Sequence, residues 1–240
     1  MVSTRDYSEL AIIIVASGTG RRFGGPLPKQ FCLLSGRPVL LRTFDIFAST
    51  FPGSRILLML SEEGAKDWSD IRTRYGVSEV EIGIGGATRT QTVQNAAAIL
   101  GANPPRYVMV HDGARPLVSP DLLCLLERRL HEGTPIVGPG YMPTDSLECV
   151  ETGASTPVDR KNYLAVQTPQ CFDFELFRKA YTSPRIAVES FTDDLSAVHE
   201  ITGEAITIVP GDRNNMKITY EADLAVAEAL LKHPYPYPLS

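Results

Sequence analysis

Short apolar runs alternate with stretches of helical periodicity along most of the chain. The first run, residues 10–16, has no charge and is rich in β-branched types. A run of this length is too short to span a membrane and predicts a strand buried on both faces. Residues 55–60 and 107–111 are also mainly apolar and are predicted to be strands, and residues 80–84 alternate between apolar and polar. Four strands are therefore expected in the first half of the chain.

Helical patterns lie between and after these strands, and several have a start or stop signal. Gly101 is typical of the position just after a helix, and Ser119-Pro120 of an N-cap followed by a first turn. Asp173, Thr192 and Thr219 are expected to cap later helices. Strands that alternate with helices predict an α/β fold with a mostly parallel, twisted sheet. The predicted helices cover about residues 38–47, 62–75, 90–100, 120–130, 174–181, 193–202 and 220–231.

The regular rhythm breaks between residues 141 and 162, where prolines, glycine and threonines interrupt short β-like pieces. This stretch is interpreted either as a long surface loop or as a β-arm that reaches a second subunit. No internal repeat or linker of domain-separating composition is found, so residues 1–240 are expected to form a single domain with this excursion.

Composition excludes several classes of protein. With 43% hydrophobic residues, the 240-residue chain can bury a sizeable core. A formal net charge of −5 provides no basic field for nucleic acid. The four cysteines lack C-x-x-C spacing, which argues against structural zinc and a disulfide framework. No signal peptide or membrane span is found, so a cytoplasmic location is expected.

Three predicted strands end in loops with unusual chemistry: residues 17–29, 85–91 and 112–115. Ligands of parallel sheets bind outside the carboxyl ends of the strands, so we expect these loops to meet at one edge. Small residues let backbone N–H groups approach an anion, and arginine and lysine can neutralise it. A phosphate-bearing ligand is predicted, although neither the P-loop pattern nor the full dinucleotide-binding glycine pattern is matched.

Seven motifs in the same order resemble one family, the 2-C-methyl-D-erythritol 4-phosphate cytidylyltransferases of isoprenoid precursor synthesis. The resemblance runs from about Leu10 to Leu231. It implies a Rossmann-like nucleotidyltransferase fold, a β-arm that clasps a partner in a homodimer, and CMP transfer from CTP to a polyol phosphate with Mg²⁺. The motifs are Ala16-Ser-Gly18-x-Gly20-x-Arg22 with Pro28-Lys29-Gln30, Gly85-Gly86-x-x-Arg89, His111-Asp112-x-Ala114-Arg115-Pro116, Val158-Asp159-Arg160, Gln167-Thr168-Pro169-Gln170, Thr192-Asp193-Asp194 and Asn215-Met-Lys217-Ile-Thr219.

The resemblance also implies a role for individual residues. Asp112 is expected to bind Mg²⁺, since this hard cation prefers carboxylate oxygen. Phosphate-binding catalytic roles fall to Arg22, Lys29 and Lys217. The nucleoside of CTP is expected at Ala16, Ser17, Gly18, Gly85, Gly86, Ala87 and Thr92, and the polyol phosphate at Arg115, Ser146, Arg160 and Thr168.

Structural roles compete with some of these functional ones. Asp112 could instead cap a turn, and His111 could be a packed strand-end residue. Asp193 and Asp194 could have a purely structural role, as negative charges that favour a helix N-terminus. Ser17 departs from the usual alanine of the family, and Ala87 stands where an acidic residue is common.

Two other functions stay open at this point. A ribitol-5-phosphate cytidylyltransferase shares several of the motifs, but the segment His111–Arg115 favours methylerythritol phosphate. A catalytically inactive nucleotide-binding module is the alternative from another class of protein.

Overall fold

A computed structural model describes residues 6–18, 23–24, 28–78, 80–187 and 191–233. The strands are β1 (Leu10–Ala16), β2 (Leu33–Leu34), β3 (Arg37–Pro38), β4 (Arg55–Leu60), β5 (Glu81–Ile84), β6 (Tyr107–Asp112), β7 (Ile136–Tyr141), β8 (Leu147–Glu151), β9 (Ala154–Val158), β10 (Ala165–Val166), β11 (Gln170–Asp173) and β12 (Thr207–Pro210). The helices are α1 (Val39–Thr50), α2 (Glu62–Tyr75), α3 (Arg89–Gly101), α4 (Pro120–His131), α5 (Phe174–Tyr181), α6 (Asp194–Thr202) and α7 (Ala222–Lys232).

The central sheet confirms the predicted α/β fold. Its strand order is β10-β7-β11-β6-β1-β4-β5, and β12 also pairs with β7. The β1, β4, β5 and β6 strands run parallel, whereas β11 is antiparallel to both of its neighbours. The sheet is therefore mostly parallel, with an antiparallel edge strand, β10, and an inserted antiparallel strand, β11, that the apolar pattern did not predict.

β1 is apolar throughout because it faces a core on each side. Ile12 and Ile14 pack into a cluster with residues of α1 and α4, and Ala11 and Ile13 pack into another with residues of α3 and α5. Burial on both faces removes the polar alternation of a surface strand. The strand predicted from residues 10–16 is confirmed at both ends.

Three predicted helix ends are wrong. Gly101 is the last residue of α3 rather than the residue after it, and the cap, Ala102, has a right-handed conformation. Asp193, not Thr192, caps α6, since its side chain accepts a hydrogen bond from the Ser196 amide. Thr219 caps no helix, because α7 begins at Ala222. The predicted caps Ser119 and Asp173 are confirmed.

The excursion contains an antiparallel hairpin, formed by β8 and β9, whose residues are mostly exposed. A short 3-10 helix, Arg160–Asn162, follows it. The β-like pieces predicted in this stretch are thus confirmed, and its extension to a partner stays a prediction. Within the ranges given above, no helix is both long and apolar enough to cross a membrane.

Candidate active site

A cavity of about 740 Å³ lies at the carboxyl ends of the parallel strands. This volume is within the range of about 300–1,000 Å³ that is usual for small-molecule sites. The strand order reverses around β1, and ligands of open α/β sheets bind at such a point. The cavity brings together many of the predicted site residues, namely Ala16, Ser17, Gly18, Lys29, Gly85, Gly86, Ala87, Asp112 and Lys217.

Side chains from the next structural element hold each backbone loop of this cavity. The Gln30 Nε2 atom donates to the Ala16 carbonyl at 3.0 Å and to the Gly18 carbonyl at 3.2 Å. On the opposite side, the Gly86 amide donates to the Thr92 hydroxyl at 3.0 Å. Thr92 is fully buried and does not line the cavity, so its contact holds the loop after β5 from the protein interior.

Close packing explains the two glycines at the end of β5. A Cβ on Gly85 would lie 2.3 Å from the Ser17 Cβ, and a Cβ on Gly86 would lie 2.3 Å from the Gln91 Cγ. Real Cβ atoms do not approach so closely, so glycine is the residue that fits both positions.

Asp112 is a nearly buried carboxylate that three cations surround. Its Oδ2 atom lies 2.8 Å from Lys217 Nζ and 3.4 Å from Arg115 Nε, and its Oδ1 atom lies 3.6 Å from Arg89 Nε. Burial alone would raise its pKa, but the charges of Lys217, Arg89 and Arg115 outweigh burial and hold the pKa well below its usual range. Asp112 is therefore ionised throughout the physiological pH range.

Arg89, for which the sequence suggested no role, links Asp112 to a second buried carboxylate. Its Nη2 atom donates to Asp194 Oδ2 at 2.7 Å, and the Tyr181 hydroxyl donates to Asp194 Oδ1. The Asp194 amide also donates to the Gln170 side chain at 2.9 Å. These contacts hold Asp194, and through it Arg89, in one position. The motifs Gly85-Gly86-x-x-Arg89 and Thr192-Asp193-Asp194 contain both residues, but the sequence does not indicate that they pair.

His111 and Thr168 form a buried hydrogen-bonded chain behind Asp112. The Asp112 amide donates to the Thr168 hydroxyl at 3.2 Å, and that hydroxyl lies 2.9 Å from His111 Nδ1. His111 Nε2 lies 3.1 Å from the Arg115 carbonyl, which can only accept, so Nε2 carries the proton. Burial lowers the pKa of His111 to about 4. The interpretation of His111 as a packed strand-end residue agrees with these contacts.

The segment 211–219 brings Lys217 to the cavity. The Gln167 side chain donates to the Asp212 carbonyl at 2.8 Å and accepts from the Asp212 amide at 3.2 Å. Arg115 Nη1 donates to the Asn215 carbonyl at 2.7 Å, and Lys29 Nζ donates to the Ile218 carbonyl at 2.7 Å. Lys29 thus contacts the segment that carries Lys217, and both lysines line the cavity.

The other predicted residues lie elsewhere. Arg22 is outside the described residues. Ser146 and Arg160 are exposed, belong to the excursion and do not line the cavity, and Arg160 donates to the Thr144 carbonyl. Arg115 and Thr168 are next to Asp112 but also do not line the cavity. The cavity of one chain is therefore lined by most of the predicted nucleotide residues and by none of those predicted for the second substrate.

Asp112 fits Mg²⁺ only when other ligands complete the site. Among the residues described, no group of three or more His, Cys, Asp or Glu side chains could hold a metal ion. Mg²⁺ is usually bound through one or two carboxylates, water and substrate phosphates, so a single aspartate suffices when a nucleotide supplies the phosphates. The three cations around Asp112 favour a metal that arrives with its nucleotide rather than one bound beforehand.

The sheet, its reversal point and a cavity lined by glycines, lysines and an arginine are typical of nucleotide-binding α/β proteins. The chain matches the family model of 2-C-methyl-D-erythritol 4-phosphate cytidylyltransferase over residues 10–233. It belongs to that family.

Individual relatives agree with this assignment. The chain is 38% identical over 227 residues to the 2-C-methyl-D-erythritol 4-phosphate cytidylyltransferase of Bacteroides fragilis, covering 91% of this chain and 98% of the relative. The crystal structure of the enzyme of that name from Thermus thermophilus has a TM-score of 0.70 and 28% identity, covering 92% of this chain and 98% of that one. The 4-diphosphocytidyl-2C-methyl-D-erythritol synthase of Anaerococcus prevotii has the same fold, with a TM-score of 0.78 at 24% identity and coverage of 93% and 96%.

Replacement of Arg89 tests the energetic weight of the Asp194 contact. Asp194 has a side-chain exposure of 1%, so Arg89→Met leaves a buried carboxylate without its cation. Such a loss costs about 3–5 kcal/mol for a fully buried pair. Because the Arg89 side chain is 31% exposed, we expect a smaller loss of unfolding free energy, about 2–3 kcal/mol, in urea titration.

Arg178→Met is the matched control. Arg178 pairs with Glu175 at 2.6 Å on the adjacent helix α5, with both side chains largely exposed. Exposed pairs contribute about 0–1 kcal/mol, so this variant should unfold near the wild-type midpoint. An equal loss of unfolding free energy in Arg89→Met and Arg178→Met would show that Arg89 does not stabilise a buried charge.

Proposed function

We propose that this protein transfers CMP from CTP to 2-C-methyl-D-erythritol 4-phosphate and releases pyrophosphate, in non-mevalonate isoprenoid precursor synthesis. The observation that carries the proposal is that Lys29 and Lys217 line the same glycine-containing cavity, with Lys29 hydrogen-bonded to the residue after Lys217, in a chain of this family. Family membership favours methylerythritol phosphate over ribitol 5-phosphate. The expected cytoplasmic location stays a prediction.

The reaction is an in-line substitution at the α-phosphorus of CTP. An oxygen of the polyol phosphate forms the new P–O bond while the bond to the β-phosphate breaks, and pyrophosphate leaves with that electron pair. The attacking oxygen is already anionic, so no general base is needed. Catalysis then depends on positioning and on stabilising the charge of the phosphoryl oxygens.

Each residue at the cavity has a role that its contacts support. Lys29 and Lys217 bind phosphate oxygens, and Arg22, which the structure does not describe, is proposed to assist them. The backbone at Ala16–Gly18 and at Gly85–Ala87 holds the nucleoside, while Thr92 keeps the second loop in place.

Asp112 would hold Mg²⁺, which supplies positive charge to the phosphates. Lys217 Nζ pairs with Asp112 Oδ2 at 2.8 Å, so a phosphate bound beside Asp112 could take over this contact with the lysine.

The site for the polyol phosphate is proposed to need a second copy of the chain. Arg160 and Ser146 project with the exposed hairpin instead of lining the cavity. Val150 on the hairpin and Leu164 and Val166 next to it are exposed apolar side chains, with exposures of 73%, 45% and 39%. Several exposed apolar side chains within one short stretch of the sequence favour a protein partner. In a homodimer, Arg160 and Ser146 would join Arg115 and Thr168 of the other subunit around the polyol phosphate.

Pyrophosphate release tests the reaction directly. We expect release from CTP and Mg²⁺ with methylerythritol phosphate and none with ribitol 5-phosphate in a parallel reaction. Release only with ribitol 5-phosphate would keep the mechanism and overturn the substrate. No release with either polyol phosphate, while CTP still binds, would favour the inactive nucleotide-binding module.

Lys29→Ala separates catalysis from nucleotide binding. A cation that acts on charge developing in the transition state is expected to lower kcat by about 100-fold or more, while the Kd for CTP changes less than about 10-fold. Rapid-quench kinetics and calorimetry measure the two quantities, and Lys66→Ala, at an exposed position of α2, is the control. A weaker CTP affinity with full turnover at saturation would contradict the catalytic role.

Subunit mixing tests whether Arg160 serves the partner's site. Arg160→Ala and Lys29→Ala proteins should each be nearly inactive alone. After unfolding and refolding together, a mixed dimer would contain one site with both residues intact, so activity should return to about a quarter of wild type.

The same design distinguishes the alternative arrangement. If Arg160 acts within its own chain, neither site of a mixed dimer is intact and activity stays at the level of the single variants. Each variant refolded without the other is the control. A monomeric mass in light scattering would contradict the proposed homodimer.

A further inference from the structure

Ser17 lines the cavity and places a hydroxyl group between the loop after β1 and Thr92, which holds the loop after β5. Ser17 is half-buried. The Ser17 Oγ atom lies 2.9 Å from the Oγ1 atom of the buried Thr92. Gly85 packs closely against the Ser17 side chain, since a Cβ at Gly85 would lie 2.6 Å from the Ser17 Oγ atom. The position of the Ser17 oxygen is therefore fixed by its neighbours.

The contacts of Thr92 determine which hydroxyl donates. Thr92 Oγ1 lies 3.0 Å from the Thr88 carbonyl, which can only accept, so the single hydroxyl hydrogen of Thr92 is directed there. The oxygen of Thr92 then accepts from the Gly86 amide at 3.0 Å and from the hydroxyl of Ser17. This arrangement satisfies all three contacts, whereas donation from Thr92 to Ser17 would give up the contact with Thr88.

Ser17 consequently has no hydrogen to offer to a ligand. Its hydroxyl hydrogen is used on Thr92, and its oxygen, in a residue that lines the cavity, keeps lone pairs that no donor among the described residues occupies. A group that binds at this oxygen must itself be a donor. Triphosphate oxygens are acceptors and do not fit, so the partner lies in the nucleoside.

We propose that Ser17 is a specificity-determining residue whose oxygen accepts a hydrogen bond from the nucleoside of CTP. The donor is either the 4-amino group of cytosine or a ribose hydroxyl. This inference rests on the proposed function, since it requires CTP in the cavity. It assigns the Ser17 side chain a contact in addition to those of its backbone.

Calorimetric titration of Ser17→Ala with nucleotides tests this assignment. The titration uses CTP, UTP and the 2′-deoxy and 3′-deoxy forms of CTP, with Mg²⁺ and without the polyol phosphate. A lost hydrogen bond should weaken CTP binding about 3- to 10-fold. The analogue that lacks the contacted donor should bind the variant as well as it binds wild type, so discrimination against that analogue should fall by the same factor.

The pattern across the analogues identifies the donor. A loss of discrimination against UTP assigns the contact to the cytosine amino group, and a loss against a deoxy form assigns it to that ribose hydroxyl. Equal weakening of all four nucleotides, or no change in any, would overturn the proposal. Ser69→Ala, the same change on an exposed face of α2, should leave every affinity unchanged.

Two further measurements separate this proposal from the function on which it rests. If wild type binds no CTP, both the function and the inference fail. If wild type releases pyrophosphate from CTP but the analogue pattern is unchanged in Ser17→Ala, the inference alone fails.

Discussion

A negative charge that is almost enclosed by protein must be compensated, and Asp112 imposes this requirement on the whole candidate site. An uncompensated buried carboxylate would cost several kcal/mol. The compensating cations come from separate parts of the chain, namely the first residue of α3, the loop after β6 and the segment after β12. Pairing with Asp112 therefore ties together three segments that the sheet alone would not hold in contact.

The same cluster concentrates cations at the cavity of a net acidic protein. The chain has a formal charge of −5, yet Lys217, Arg115 and Arg89 lie 2.8, 3.4 and 3.6 Å from Asp112. Glu62 and Glu63 also line the cavity, so these cations are grouped around Asp112 and do not make the whole lining positive. Low-dielectric walls strengthen this local field, so the sign of the whole molecule says little about the ligand.

Local patterns predicted the elements whose structure depends on local causes. The apolar run of β1, the capping serine of α4 and the phosphate-suited loops all have signals within a few residues.

The antiparallel strand β11 was missed because its four residues take their conformation from pairing with β6 and β7. The cap of α6 was misplaced for a related reason, since Gln170 donates to Asp193 and thereby selects it over Thr192. Arg89 and Asp194 are 105 residues apart, and nothing in the sequence indicates that they meet.

The loops of the cavity have little regular structure, so their order must come from side chains. Gln30 holds the Ala16 and Gly18 carbonyls, Gln91 accepts from the Ala87 amide at 3.0 Å, and Thr92 accepts from the Gly86 amide. Each of these side chains belongs to the element that follows a loop, so formation of that element also fixes the backbone groups that face the ligand. Preorganisation of this kind reduces the entropy that binding would otherwise cost. It also explains why a hydroxyl at position 17 is directed by its neighbours, since Ser17 contacts the same Thr92 that orders the opposite loop.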